Sequence, residues 1–370
     1  MDLKSSTCKE RVDKLTAIGK KGGMDAFLVT SEKNMLYFAG FSALAIERFA
    51  GLIIPVEKGV PVVMVPKLEE EKAKDHSMFR EIRSYSDSEG PGALLSNAVR
   101  DLKLEKAVLG VEGTLPFRFY RMLIEASSKI KMEDASMIFS QLRSIKSEEE
   151  LKIMEKAAEI VAKGIKAGIE CIRPGVSELA ISSAIERTIK ENGGESIPFC
   201  IVLSGSNSAL PHGETSSRKV NKKDVVLMDV GAVYESYYAD LTRTVFVGDA
   251  TKLQKEIYNI VAEAQEAAIK SVKPSIKAEE VDRAARKTIE KAGYGEYFTH
   301  RTGHGLGLEV HEEPYMVQGN KAVLQPGMTF TIEPGIYLAG KFGVRIEDDM
   351  AVSQTEGRML SNLAKELIIL

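Results

Sequence analysis

Two acids stand where strands normally avoid them. In VVLMDVGAVYESYYADLTRTVFV, Asp229 and Asp240 interrupt two runs of strand formers, residues 225–230 and 241–247. Read as a hairpin with its loop at Tyr234-Glu235, the segment sets Asp229 directly opposite Asp240, with Cβ atoms roughly 5 Å apart. Like charges at that spacing repel, so either one carboxyl is protonated or a cation sits between them. The plainer alternative is a pair of turn acids at a strand end. The stretch MTFTIEPGIYLAGKFGVRIEDDMAV repeats the device, with Glu333 in one arm and Glu347 in the other. A loop at Ala339-Gly340-Lys341 sets those two opposite each other, and its glycine supplies the positive φ such loops want.

Between the two hairpins lies THRTGHGLGLEVHEEP, with His300, His304 and His311 among small residues that let a backbone approach closely. Of five histidines, these three and His212 in LPHGE surround the hairpins, and His76 lies elsewhere. Four carboxylates and one imidazole form an oxygen-rich donor set of charge about minus four. It suits two divalent cations of the Mn, Co, Fe or Zn type better than a closed structural zinc site. Each histidine taken alone reads more readily as a satisfied structural residue than as a ligand, and only together with the carboxylates does that reverse for His304 and His311.

The order of these residues carries a resemblance: an acid, a second acid eleven residues on, the histidine of GHGLGLEVHEEP, the glutamate of TIEPGIY and the glutamate of VRIED. It is similar to the metallopeptidases of the methionine aminopeptidase, prolidase, aminopeptidase P and creatinase superfamily, over roughly residues 140 to 370. The resemblance implies the pita-bread fold, two divalent ions per chain (Mn or Co, with Zn or Fe as alternatives), and Asp229, Asp240, His304, Glu333 and Glu347 as their ligands. It also implies that Glu333 handles the proton of a bridging water and that His311 steadies the intermediate or the leaving nitrogen. His212 and His300 match positions lining the substrate pocket, His212 with a catalytic part as well, and Arg345 matches a substrate-binding or supporting arginine. Tyr234, Thr242 and Arg243 read as supporting or packing groups.

The elements that must hold these residues follow from the rest of the chain. Its 370 residues, 44% hydrophobic, allow two domains. From residue 1 to 135, helical and strand signals alternate: Val12, Leu15 and Ile18 mark a helix, DAFLVTS, GLIIPV, PVVMVP and AVLGVEG read as buried strands, and SEKNMLYFAGF as a helix. An α/β layered domain follows. It carries no clustered histidine, phosphate loop or triad, so it reads as scaffold or lid. NMLYFAGF resembles the opening of the creatinase-like N-terminal domain, which points to the proline-directed branch. The second domain, 136–370, opens after KIKMEDASMIFSQLRSIKS with a capping box at residues 147–150.

An internal repeat at a shift of 100 residues organises that domain. Ile160, Pro174, Ala184, Thr188 and Gly193 recur as Ile260, Pro274, Ala284, Thr288 and Gly293, and LMDVGAVY echoes TIEPGIY. Two like halves, each a helix pair and a carboxylate hairpin, imply an α+β domain with a pseudo-two-fold axis near the metals. Two generic amphipathic helix pairs would leave the matched Pro and Gly punctuation unexplained.

A net charge of −3 offers no electrostatic case for nucleic acid or an anionic membrane. No apolar run approaches a membrane span or a signal h-region, and three unspaced cysteines read as reduced thiols, so a cytoplasmic protein is expected. The resemblance implies a homodimer acting on small Xaa-Pro peptides. Xaa-Pro dipeptide hydrolysis is the expected activity, with a cation to meet the free carboxylate (Arg345 or His212) and a wall beyond it from the N-terminal domain. Xaa-Pro aminopeptidase action on longer peptides, metal-free creatinase-like chemistry and a non-catalytic binding module are the alternatives.

Overall fold

The computed structural model describes the backbone of residues 3–370 and side chains from Thr7 onward. The chain divides into two compact units, Met1–Arg143 and Ser144–Leu370.

The first unit follows its hydrophobic punctuation. It runs α1 (Leu3–Gly22), β1 (Ala26–Val29), α2 (Glu32–Ala39), β2 (Gly51–Pro55), β3 (Val62–Pro66), α3 (Glu70–His76), β4 (Glu81–Tyr85), α4 (Gly92–Asp101), β5 (Val108–Val111), α5 (Phe117–Ala126), β6 (Lys131–Asp134) and α6 (Ser136–Ser144). The sheet order is β4-β3-β2-β1-β5-β6, with parallel pairs at β3/β4, β1/β5 and β5/β6. Every residue of β1 is buried, because both faces are covered. Leu28 packs with Leu95, Val99 and Leu123 on one side, while Phe27 meets the edge of Phe139 on the other. The edge strand β6 is polar and largely exposed, and β4 is half-buried with Tyr85 its one buried residue, which is why hydrophobic patterning does not announce them. Residues 136–143, placed by sequence in the second domain, group with the first unit, because Phe139 packs edge-on against both Phe27 and Phe38.

The second unit is built twice. Helices α7 (Glu148–Cys171) and α8 (Glu178–Glu191) precede β7 (Ser196–Ser204), β8 (Val225–Tyr234) and β9 (Tyr237–Phe246). Helices α9 (Lys252–Ser271) and α10 (Ala278–Lys291) stand one hundred residues further on at three of four bounds, and precede β10 (Gly303–Gly305), β11 (Glu312–Met316), β12 (Thr329–Ile332), β13 (Gly335–Leu338), β14 (Phe342–Arg345), β15 (Asp348–Val352) and β16 (Gly357–Met359). Capping boxes open both long helices, Ser147 with Glu150 and Thr251 with Gln254. Each pair buries one apolar stripe on its own sheet: Val161, Ile165 and Ile185 against Val226 and Met228, and Val261, Ala285 and Ile289 against Phe330 and Ile332.

The first carboxylate hairpin departs from the expected register by two residues, its turn lying one residue further on. Its turn is Glu235-Ser236, with φ of 45° and 71°, so Asp229 pairs with Thr242 and Asp240 with Gly231. Two left-handed residues in succession give the tight turn that matches strand twist, and neither glycine nor asparagine marks it in the sequence. The acids still share a face, because Asp240 lies two residues from Asp229's partner; they are diagonal neighbours rather than opposite ones. The second hairpin keeps the expected level: Gly335 pairs with Arg345 and Ile332 with Asp348. Glu333 and Glu347 fall in the break between those two ladders. Among the described residues no helix is long and apolar enough to cross a membrane.

Candidate metal centre

Strand alternation sends Asp229 and Asp240 to one face of the β8–β9 hairpin, and the two ladder breaks turn Glu333 and Glu347 toward them. His304 enters from β10, which is squeezed between β11 and β12. A Cβ on Gly303 would lie 1.9 Å from the Thr331 carbonyl oxygen, and one on Gly305 would lie 2.4 Å from that of Glu313, so glycine is required on both sides of the histidine. Asp282 on α10 accepts the Thr302 N–H at 3.1 Å and its hydroxyl at 2.8 Å, fixing the chain between His300 and His304.

These residues line one cavity of about 480 Å³, together with Phe199, Ile201, Pro211, His212, His300, Arg301, Val310, His311 and Arg345. All nine residues singled out by sequence therefore meet in one place. Ligand atoms of Asp240, His304 and Glu347 lie within 4.8 Å of one another. His304 Nε2 is 3.4 Å from Glu333 Oε1 and 3.8 Å from Asp240 Oδ2. Burial, with the neighbouring His311, pushes the His304 imidazole down to about 3, so the ring is neutral and these spacings are not ion pairs. Its Nδ1 lies 3.1 Å from the Gly305 carbonyl, and a proton donated there leaves the Nε2 lone pair facing the carboxylates.

The carboxylates show the strain of their company. Burial, then the charges of Glu347 and Asp229, raise Asp240 well above the usual carboxylate range. Burial, then Glu333 and Asp229, do the same to Glu347, and burial chiefly lifts Glu333 to about 7. Buried Oδ1 atoms of Asp229 and Asp240 have no hydrogen-bond partner among the described residues. Unpartnered buried acceptors, a neutral imidazole lone pair and mutually repelling carboxylates are what a divalent cation satisfies, and the donor set fits hard or borderline ions.

Arg345 is buried and committed. Its Nη2 reaches Asp229 Oδ2 at 2.5 Å, its Nη1 donates to the Tyr337 hydroxyl at 2.8 Å and its Nε to Thr242 Oγ1 at 3.1 Å. Thr242 in turn donates to Glu347 Oε2 at 2.6 Å. His300 Nε2 lies 2.9 Å from the same Tyr337 hydroxyl, and burial, with Arg345, lowers its imidazole to about 4. His311 and His212 are exposed at the cavity mouth. The His311 ring stands edge-on to His304 with centroids 4.1 Å apart, and partial burial, with Arg301 and His212, lowers its pKa. Tyr234 does not line the cavity.

The sequence reading missed Tyr337 and Arg301. Tyr337 lies four residues after Glu333 in the same TIEPGIY segment, a usable signal. Arg301 had only its place beside His300.

Comparison with known proteins decides the family. Residues 152–354, more than half of the chain, match metallopeptidase family M24. The chain belongs to that family. Residues 11–145 match the creatinase/prolidase N-terminal domain. The M24 chain is 39% identical over 360 residues to an Xaa-Pro dipeptidase of Pyrococcus horikoshii, covering 97% of this chain and 99% of that one. A prolidase structure from Thermococcus sibiricus is 43% identical, covers all of both chains and superposes with a TM-score of 0.92. An X-Pro aminopeptidase structure from Thermotoga maritima is 33% identical over 97% of this chain and 99% of that one, with a TM-score of 0.87. The two-unit architecture is thus the creatinase-type N-terminal domain followed by the pita-bread catalytic domain, and M24 membership carries divalent-metal use with it.

Proposed function

We propose that this M24 enzyme hydrolyses the Xaa-Pro bond of dipeptides, with two divalent ions, Mn or Co, held by Asp229, Asp240, His304, Glu333 and Glu347. The carrying observation is the convergence of those five residues, with unpartnered oxygens on two of them, in a chain similar over nearly its full length to Xaa-Pro dipeptidases. Bound there, the ions would supply a water of near-neutral pKa and polarise the scissile carbonyl. Glu333 would handle the proton of that water, the part its place in the TIEPGIY segment implies. His311 is uncharged at neutral pH and stands beside His304, where its N–H can donate to the developing oxyanion or the proline nitrogen. Phe199, Ile201, Pro211 and Val310 give the cavity its apolar wall. Arg345 is spent on Asp229, Tyr337 and Thr242, so the charge that meets a dipeptide's free carboxylate is assigned to Arg301 and His212, and Arg345 to holding the site.

A homodimeric, cytoplasmic enzyme completes the proposal, the first part checked by sedimentation. The likeness to an X-Pro aminopeptidase keeps one second reading in play, cleavage of longer Xaa-Pro-Yaa peptides. A panel of Xaa-Pro dipeptides and matched tripeptides separates the two. Preference for the dipeptides is expected, and equal rates would hand the function to the aminopeptidase reading.

A further inference from the structure

Residues 240–244 of β9 run antiparallel to residues 345–349 and join the two halves of the catalytic unit. The strands are level at Thr242 and Glu347, where the Glu347 N–H donates to the Thr242 carbonyl at 3.1 Å. On either side, side chains continue the ladder. Asp349 Oδ2 accepts the Asp240 N–H at 3.0 Å, and the Thr244 hydroxyl donates to the Arg345 carbonyl at 2.8 Å and accepts its N–H at 3.2 Å. Asp240, Thr242, Arg345 and Glu347 occupy the cavity side of this seam. Alternation sends Arg243 and Asp348 to the opposite side.

Arg243 is 3% exposed, and all five of its N–H groups are placed. Nε donates to the Ala364 carbonyl at 2.9 Å, Nη1 to the carbonyls of Thr242 at 2.9 Å and Glu347 at 2.6 Å, and Nη2 to Asp348 Oδ1 at 2.8 Å and the Leu363 carbonyl at 2.6 Å. One rigid fork thus grips the backbone of both strands at the residues that level the seam. Asp348 is held in its turn by Ser361 at 2.6 Å and Gln265 at 2.8 Å. The opposing force is plain: carboxylates of Asp240 and Glu347 face each other across the front within 4.8 Å, and their repulsion pushes the strands apart.

We propose that Arg243 is a positioning residue for the metal centre, a clamp behind the seam that fixes the spacing of the Asp240 and Glu347 carboxylates before any cation arrives. The proposal rests on the assignment of those two acids as ligands. Arg243→Lys keeps the charge and the reach to Asp348 but cannot place five donors in a plane, so the spacing should loosen. The expected result is a Kd for Mn raised about tenfold or more, the range seen when a group supporting a metal ligand is lost. The cobalt-loaded variant should show an altered visible spectrum. Asp348→Asn leaves four backbone bonds of the fork in place and should lower Tm while changing the Kd less than about threefold. If both variants lose Tm and neither changes the Kd or the cobalt spectrum, Arg243 merely stabilises the fold and the clamp is overturned. Asp240→Asn measured alongside separates the two levels: unchanged metal binding in that variant sinks the ligand assignment itself. Hydrogen exchange on chelated wild-type protein needs no variant. Slow exchange of the Glu347 amide supports a clamp set in advance, and fast exchange that slows only on adding Mn overturns it.

Discussion

Replacing Asp240 by asparagine should move stability in opposite directions with and without metal. In the metal-free protein Asp240 shares buried space with Glu347, with ligand atoms no more than 4.8 Å apart. Two ionised carboxylates at that distance or a little closer repel by roughly 3–4 kcal/mol at an effective dielectric near 20. Protonation relieves part of this, which is what their raised pKa values express, so the stabilisation from Asp240→Asn at pH 8 lies between about zero and 4 kcal/mol. For a unit of this size each kcal/mol shifts Tm by roughly 2–4 °C. The chelated variant should therefore melt as high as chelated wild type or up to about 10 °C higher. Adding Mn should raise wild type well above its chelated value and leave the variant nearly where it was, because one anionic ligand is gone. Calorimetry on both proteins, each chelated and reloaded, together with metal content by emission spectroscopy, reads all four states. A chelated variant several degrees less stable than wild type, or a reloaded variant with full metal content, would refute the reasoning.

His311→Ala should lower kcat by about a hundredfold with metal content unchanged, as expected for a lost transition-state donor; loss of metal would make His311 a ligand or its support. The pH dependence of the chelated protein is a balance of opposing groups. His300 and His304, lowered to about 4 and about 3, stay neutral in the fold, so they add stability as pH rises through the unfolded value of about 6.5. Glu333, raised to about 7, holds a proton in the fold that the unfolded chain has already released, so its contribution falls as pH rises through 7. Differential scanning calorimetry from about pH 6 to 8 checks it: Glu333→Gln should gain stability relative to wild type as pH rises across that window, and a constant difference between the two proteins would contradict it. Gly303→Ala places a Cβ 1.9 Å from the Thr331 carbonyl oxygen, so β10 must move, and both Tm and Mn affinity should drop; an alanine variant with wild-type Mn affinity would show that His304 does not depend on that approach.

What was legible in this sequence had a local signature. The acids interrupting strand runs, the histidines set among glycines and the hundred-residue repeat each violate ordinary patterning, and the structure brings all of them to one cavity and one pseudo-symmetric frame. The second hairpin's level was readable because Gly340, with φ of 71°, marks its turn. The first hairpin's turn was placed one residue early, a two-residue slip in pairing, because Glu235 and Ser236 adopt left-handed backbone without a residue that advertises it. Arg243 could be read only as a supporting or packing group for another reason: its partners are backbone carbonyls and a side chain up to 121 residues away, and no spacing rule reports such contacts. Strands β4 and β6 lacked an apolar face to betray them.

The central claim is that the five convergent residues bind the divalent ions on which Xaa-Pro hydrolysis depends. Its most direct test is a Mn titration of chelator-stripped protein, following bound metal and Xaa-Pro dipeptide hydrolysis together. The expected result is no hydrolysis at zero metal, full rate as two equivalents bind, and neither binding nor rate in Asp240→Asn. Hydrolysis by the stripped protein, or full metal binding with no cleavage of any Xaa-Pro peptide, would contradict it.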